Sequence, residues 1–181
     1  MKKRVIGIIS LIFLMVLVTG CGKVNITINN DKDDNKVVEK KNSTKEYSLK
    51  GLHITMADDL VESSAVNYTS YLQGQNYSFA SIKESFEDYK AAQLEIDENS
   101  SVVDYMKFIT KVNQLNSNVI EKNGLVYITY TKNINDNDYF YMAFAYKSND
   151  SFWLVNLFCF EKDKAKYEPI FMDWAKSVYF E

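Results

Sequence analysis

Residues 151–160 restrict the fold of this chain more than any other stretch. In a strand, successive side chains point to opposite sides, and here both sides are apolar. One side carries Phe152, Leu154, Asn156, Phe158 and Phe160, and the other carries Trp153, Val155, Leu157 and Cys159. Such a strand needs cover on both of its faces. We therefore expect a central strand in a sheet that lies between two covering layers.

Tight turns connect the other strand patterns, so the sheet is predicted to be antiparallel. Asn123-Gly124 is a strong hairpin signal, and polar segments at 133–138 and 148–150 separate further strands. The stretch 58–62 is expected to be an irregular or helical turn, and 88–99 is ambiguous. The predicted strands are 47–49, 52–56, 68–72, 77–86, 118–121, 125–132, 139–147 and 151–160.

Two later segments have the apolar period of amphipathic helices. The first begins at Ser101, which forms a capping-box pattern with Asp104. The second contains Pro169, which fits best in a first turn, so this helix is expected to begin near Glu168. Together these patterns predict an α+β fold in which helices cover both faces of an antiparallel β-sheet.

The N-terminal segment has the pattern of a bacterial lipoprotein signal. Residues 1–4 are basic, residues 5–18 are almost wholly apolar, and Val18-Thr19-Gly20-Cys21 has the form of a lipoprotein processing box. The apolar run is shorter than the roughly 20 residues of a permanent span. We expect removal of residues 1–20 and lipidation of Cys21. An ordinary signal or a short uncleaved anchor is the weaker alternative.

A diacylglyceryl group on Cys21 supplies two acyl chains, which together give stable anchoring. We therefore expect a protein held on the outer face of the cell membrane. A Gram-positive cell is preferred, and a Gram-negative destination stays open.

The rest of the chain is predicted to have two parts. Residues 21–45 are polar and charged, and such a segment buries too little surface to offset the entropy of ordering, so we expect a tether. Residues 46–181 are long enough for a single globular domain. The formal charge is −3, and removing three basic residues with the signal gives −6 (−3 − 3). We therefore expect no nucleic-acid partner.

No residue pattern points to catalysis, a cofactor or a metal, so we expect a noncatalytic protein without any of them. His53 is the single histidine, and we expect a surface or half-buried strand residue rather than a catalytic or metal-binding one. Cys159 is expected to be an inert core thiol. The segments 31–34 and 133–138 offer oxygen ligands but lack the glycine and closing glutamate of a calcium loop.

Asn156 and the tyrosines allow two interpretations each. A polar side chain in a strand that is apolar on both faces needs a hydrogen-bond partner or lines a pocket, and a satisfied core amide is the more common outcome. Tyrosines favour strands packed beneath helices but also exposed contact surfaces, and the core is preferred here. The tyrosines considered are Tyr127, Tyr130, Tyr139, Tyr141 and Tyr146.

A set of short motifs resembles one known family. They are Gly-Leu-x-Ile-Thr at 51–55, Ser-x-x-x-Tyr at 101–105, Tyr-x-x-Tyr at 127–130, Phe-Trp at 152–153 and Trp-Ala-Lys-Ser-Val at 174–178. With the leader, they resemble small bacterial lipoproteins that have the PsbP/Mog-type α/β/α sandwich. The resemblance covers about residues 46–181. It implies a protein-binding scaffold, because the family includes photosystem accessory subunits and a GTPase-binding protein, and it implies no ligand-binding residues.

The sequence thus predicts a membrane-anchored extracytoplasmic lipoprotein that binds or scaffolds a protein partner at the cell surface. The alternative is a small-ligand-binding lipoprotein with a cleft beside Asn156. A hydrolase is a distant third.

Replacing Cys21 by Ser removes the thiol that would accept diacylglycerol. We expect the Cys21→Ser protein to be released from the membrane fraction or to keep its leader. Immunoblots of cell fractions and the mass of the N-terminal peptide measure both. Cys159→Ser is the matched control and should stay anchored. A Cys21→Ser protein that is processed and anchored like the parent chain would contradict the lipidation of Cys21.

Overall fold

The computed structural model describes residues 43–181, so the predicted leader, Cys21 and nearly all of the predicted tether lie outside the described residues. The strands are β1 (Thr44–Leu49), β2 (Leu52–Ala57), β3 (Val61–Ser63), β4 (Ser70–Gln73), β5 (Tyr77–Ser85), β6 (Ile120–Lys122), β7 (Leu125–Ile134), β8 (Asn137–Lys147), β9 (Ser151–Phe160) and β10 (Tyr179–Phe180). The α-helices are α1 (Phe86–Ala91), α2 (Val102–Val112) and α3 (Lys164–Lys176), and a 3₁₀ turn occupies Glu161–Asp163.

The strand that is apolar on both faces lies in the middle of the larger sheet. This sheet has seven antiparallel strands in the order β3-β4-β5-β9-β8-β7-β6. Each residue of β9 from Ser151 to Cys159 is buried, as a strand with two apolar faces requires. The predicted antiparallel α+β architecture is confirmed.

A second sheet of three strands, in the order β1-β2-β10, was not predicted. Leu52, Ile54 and Met56 on β2 are fully buried, and they share a hydrophobic cluster with Trp153 and Val155 of β9. The β1-β2 hairpin therefore packs across the larger sheet instead of extending its edge. The two residues of β10 are too few to show a strand period in the sequence.

The same side of the larger sheet is also covered by α3. Its residues Tyr167, Phe171 and Trp174 join the cluster that contains Trp153 and Val155. One covering layer thus combines a helix with a small sheet, whereas the sequence predicted a helix alone.

On the opposite side, α2 covers one end of the larger sheet. The ring of Tyr105 stacks on the ring of Phe152, with the centroids 4.5 Å apart. Further along the same face, the cluster formed by Tyr71, Ala80, Tyr141 and Phe158 includes no residue of a helix. The sequence predicted that helices cover both faces of the sheet, but on this face they cover only one part.

Two boundaries near the start of the domain differ from prediction. The irregular turn expected at 58–62 is present only at 58–60, because Val61–Ser63 pair with β4 and form the edge strand β3. α1 begins at Phe86, where a strand was expected to continue. The side chain of Ser85 accepts a hydrogen bond from the backbone N–H of Asp88 and caps this helix. The first strand also begins at Thr44, slightly before the predicted domain boundary at 46.

The start of the last helix was predicted wrongly. We expected Pro169 in the first turn, but α3 begins at Lys164 and Pro169 lies inside it. A proline there removes one backbone hydrogen bond and is costly. The earlier start places Tyr167 in the helix, where it is buried and packs against Tyr77 with the ring centroids 5.1 Å apart. This aromatic packing offsets the lost hydrogen bond.

Beneath α1 and α2, a glutamate carboxylate accepts hydrogen bonds from two buried tyrosines. Tyr89 and Tyr105 each donate to Oε2 of Glu84, at 2.7 and 2.6 Å. Burial raises the pKa of Glu84, while the two hydroxyl donors act in the opposite direction. Glu84 is thus the acceptor that allows both tyrosine hydroxyls to be buried.

Because the pKa of Glu84 is raised on folding, its contribution to stability is full below the pKa of the unfolded chain and is lost as pH rises through the folded value. Glu84→Gln keeps an oxygen acceptor without the charge. We expect the unfolding free energy of this variant, relative to the parent chain, to rise between about pH 4 and pH 7. Urea denaturation of the variant and of the parent chain at both pH values measures this difference in unfolding free energy.

Glu84→Ala is the matched control, since it removes the acceptor and should cost about 1–3 kcal/mol for each stranded hydroxyl. Equal losses for Gln and Ala at both pH values would contradict this role of the carboxyl group.

Candidate functional site

Three aromatic rings form a ladder across the part of the sheet face that no helix covers. Tyr130, Tyr141 and Phe158 are register neighbours on β7, β8 and β9. Their rings stack in sequence, with centroids 4.9 Å and 4.8 Å apart. Such contacts are offset-stacked aromatic pairs, which contribute beyond their buried area. The stacking contacts therefore fix the orientation of each ring relative to its neighbours.

On the side away from Tyr141, the ring of Phe158 faces the ring of Tyr71 on β4, with the centroids 6.5 Å apart and the rings tilted by 31°. Phe158 is 7% exposed, so both of its faces are largely covered. Beside these rings lies a cleft of about 140 Å³ that also reaches the small Ser78, and we call it the aromatic cleft. It is lined by Tyr71, Gln73, Gly74, Gln75, Asn76, Tyr77, Ser78, Ile134, Tyr139, Tyr141, Phe158, Cys159 and Phe160.

The aromatic cleft is neutral but polar. None of its lining residues carries a charge. Tyr71 and Tyr141 are only 7% and 6% exposed, and their hydroxyls make no hydrogen bond with another described residue. Burial raises the pKa of Tyr141 above its ordinary value, and nearby tyrosines add to this, so the hydroxyl stays protonated. Neither hydroxyl is among the buried polar atoms of the described residues that lack a partner, so both hydroxyls keep solvent-accessible surface where they line the cleft.

Asn156 lies on the same face of β9, next to the aromatic cleft but not in its lining. It is 2% exposed, and its register neighbours are Ala80 and Ala143. Neither atom of its amide has a hydrogen-bond partner among the described residues. The expected satisfied amide is therefore not observed, and the cleft lies beside Asn156 without including it.

His53 lies on the outer face of the three-stranded sheet. Ser48 Oγ is 3.1 Å from its Nδ1, and Glu181 Oε1 is 2.9 Å from its Nε2. The ring of Tyr179 stacks over the imidazole at 4.5 Å, so His53 is only 7% exposed, less than the sequence suggested.

A serine, a histidine and a carboxylate in this order resemble a catalytic constellation. However, a general base must reach a bound substrate, and Tyr179 covers the ring. The contacts of His53 instead attach β10 to β2.

The contacts of the other candidate residues are those of structural residues, not of catalytic or metal-binding ones. Cys159 is buried, and burial, with Asp163 and Glu161 nearby, raises the pKa of its thiol to about 12, so it is not a nucleophile at neutral pH. Asn133 donates a hydrogen bond to Asp138 across the β7-β8 hairpin at 2.8 Å. Residues 43–181 contain no group of three or more His, Cys, Asp or Glu side chains placed to hold a metal ion.

The five tyrosines divide between the two faces of the larger sheet. Tyr127 and Tyr146 pack in the cluster beneath α3 and the small sheet, whereas Tyr130, Tyr139 and Tyr141 belong to the face that carries the aromatic cleft. The sequence preferred the core for all five. Tyr127 and Tyr141 are buried, as preferred, and Tyr130, Tyr139 and Tyr146 are half-buried. The hairpin turns at 133–138 and 148–150 indicate which of them share a face, since a turn fixes which residues of its two strands face each other.

Within residues 43–181, no helix combines the length and the apolar character that crossing a membrane requires.

No protein-family model and no curated protein sequence matches this chain. Among solved structures, cyanobacterial PsbP (CyanoP) from Synechocystis sp. PCC 6803 is similar, with a TM-score of 0.53 and 13% identity over 82% of this chain and 98% of that one. This similarity shows a PsbP-like fold.

Two further structures are less similar. A Bacteroides thetaiotaomicron VPI-5482 protein has a TM-score of 0.47 and 8% identity over 72% of this chain and 45% of that one. PA94 from Pseudomonas aeruginosa, a protein of unknown function, has a TM-score of 0.44 and 11% identity over 76% and 97%.

Replacing Asn156 by the similarly sized Leu removes two buried polar atoms that lack a partner. We expect Asn156→Leu to raise the unfolding free energy by about 1–3 kcal/mol, measured by urea denaturation. Asn156→Ala is the control, and it should gain less because it leaves a cavity. A clear loss of stability in the Leu variant would show that the amide of Asn156 is paired in solution.

Proposed function

We propose that this protein is a membrane-anchored extracytoplasmic lipoprotein whose folded head binds a protein partner at the cell surface and catalyses no reaction. The observation that carries the proposal is the aromatic cleft, which opens on the one part of the sheet face where no helix residue joins the hydrophobic cluster. Tyrosine combines an apolar body with a polar tip and is favoured at protein interfaces.

An exposed valine beside the cleft supports a contact surface wider than the cleft itself. Val61 is 69% exposed, and it is one of the three large apolar side chains that are exposed among residues 43–181. Val61 belongs to the register row that continues through Gln73 and Ser78 to Phe158. A surface that extends from an edge strand into an aromatic cleft suits a protein partner better than an enclosed ligand.

Lipidation of Cys21 remains part of the proposal, supported by the basic, apolar and small-residue pattern before it. Two acyl chains would hold the head at the outer membrane surface. The α/β/α layering of the PsbP/Mog-type family is also proposed. It is supported by α3 side chains that cluster with Trp153 and by α2 side chains that cluster with Phe152.

Binding of a small ligand in the aromatic cleft is the second candidate function. The hydroxyls of Tyr71 and Tyr141 favour it, because they line the cleft and are accessible there to the donors and acceptors of a ligand. Pockets that enclose drug-sized ligands measure about 300–1,000 Å³. The cleft volume of about 140 Å³ therefore restricts such a ligand to a single small ring or chain.

Photo-crosslinking on intact cells tests the proposed partner. A benzoylphenylalanine in place of Tyr139, at the rim of the aromatic cleft, is expected to give a discrete adduct with a surface protein. The same probe in place of Tyr179 is the matched control, since Tyr179 is 49% exposed on the other sheet. Absence of an adduct at 139, or the same adducts at both positions, would contradict the proposal.

A further inference from the structure

The outer strand of the seven-stranded sheet, β3 (Val61–Ser63), pairs with β4 along one edge only. Its three residues are all exposed. Within residues 43–181, no other strand pairs with its second edge. An edge of this kind presents backbone N–H and C=O groups to solvent, and another extended chain can pair with them. β3 therefore offers an open site for one further strand.

Side chains distinguish this edge from the other edge strands of the domain. Charged side chains, and lysine above all, discourage a second chain from pairing with an edge. β1 exposes Lys45 and Glu46, β6 exposes Glu121 and Lys122, and β10 has only two residues. β3 carries a single charge, and its Val61 is 69% exposed. Of these edges, β3 is therefore the one best suited to accept a strand.

A strand paired with β3 would meet a different side chain on each face of the sheet. Val61 lies in the register row that runs through Gln73 and Ser78 to Phe158, so it is on the face that carries the aromatic cleft. Glu62, the next residue, points to the opposite face. Among residues 43–181, the carboxylate of Glu62 has no ion-pair partner. An apolar residue opposite Val61 and a cation opposite Glu62 would therefore match this edge.

A second copy of this chain fits the edge poorly. Two copies related by a two-fold axis would pair their β3 strands antiparallel, and pairing of all three residues would set the two Glu62 side chains opposite each other. Like charges directly opposite each other are destabilising. The formal charge of −3 adds repulsion between whole copies. Charge thus favours a different protein, one whose extended segment carries a cation.

We infer that the open edge of β3 binds an extended segment of the partner protein, which places Lys or Arg opposite Glu62 and an apolar residue opposite Val61. The inference rests on the proposed protein-binding function and names the kind of segment that binds. In this mode of recognition, main-chain hydrogen bonds supply affinity and alternate side chains supply specificity.

An NMR titration of the ¹⁵N-labelled full chain in detergent micelles tests this inference. The probe is the blocked peptide Thr-Val-Lys-Val-Thr, and the same peptide with Glu in place of Lys is the charge control. We expect the lysine peptide to shift the amide resonances of Val61, Glu62 and Ser63 with a Kd of about 1–10 mM. The glutamate peptide should bind about twofold or more weakly. A lysine peptide that is N-methylated at its three central residues keeps the side chains but lacks the backbone donors, and it should not bind.

Charge variants locate the binding. Glu62→Lys should weaken binding of the lysine peptide about twofold or more and strengthen binding of the glutamate peptide. Glu121→Lys makes the same change on β6, the opposite edge of the same sheet, and should leave both affinities unchanged. On intact cells, Glu62→Lys should reduce the adduct formed by a probe at Tyr139, and Glu121→Lys should not.

Four results would overturn the inference. They are no shift of the three β3 amides with the lysine peptide at about 30 mM, above the expected Kd, equal binding of the N-methylated peptide, unchanged binding to the Glu62→Lys chain, and shifts of these amides that depend on protein concentration without peptide. The last result would assign the edge to a second copy.

The two proposals fail in different ways. If any of these four results occurs while a probe at Tyr139 still captures a surface protein, the proposed protein-binding function stands and the extended segment is ruled out. Absence of that adduct contradicts the protein-binding function itself.

Discussion

The fold depends on one strand that has no polar face. Residues Ser151 to Cys159 of β9 are all buried, so this strand is stable only where both of its faces are covered. β5 and β8 pair along its two edges. α3 and the three-stranded sheet cover one face, and α2 covers the end of the other face near Phe152. The hydrophobic burial of β9 thus fixes where the remaining elements lie.

β9 needs cover on both faces, and the aromatic cleft lies where no helix provides that cover. Toward the end of β9, this face is no longer covered by helix side chains. It is covered there by tyrosine and phenylalanine rings of neighbouring strands. Phe158 lies between the rings of Tyr141 and Tyr71 and is 7% exposed. The same rings that complete the core therefore also line a cleft where the hydroxyls of Tyr71 and Tyr141 are accessible.

Much of this arrangement was readable from the sequence, and the exceptions have physical causes. The two apolar faces of β9, the capping box of α2 and the Asn-Gly hairpin are local signals, and each produced the predicted element. The short helix α1 was missed although Ser85 and Asp88 repeat the pattern at Ser101. A separate second sheet was not predictable, because a hairpin has the same alternation whether it extends a sheet or packs across it. The cleft depends on the pairing of β5 with β9, which are distant in sequence.

Oxidative footprinting of the tyrosines, in cells and on the purified protein, tests the central claim most directly, namely that the aromatic cleft is the surface through which this protein acts. Tyr139 at the cleft rim and Tyr179 on the small sheet are compared by mass spectrometry. The account predicts that Tyr139 is modified more slowly on intact cells than in the purified protein, while Tyr179 is modified equally in both. Equal modification of Tyr139 in both settings, or protection of Tyr179 alone, would contradict it.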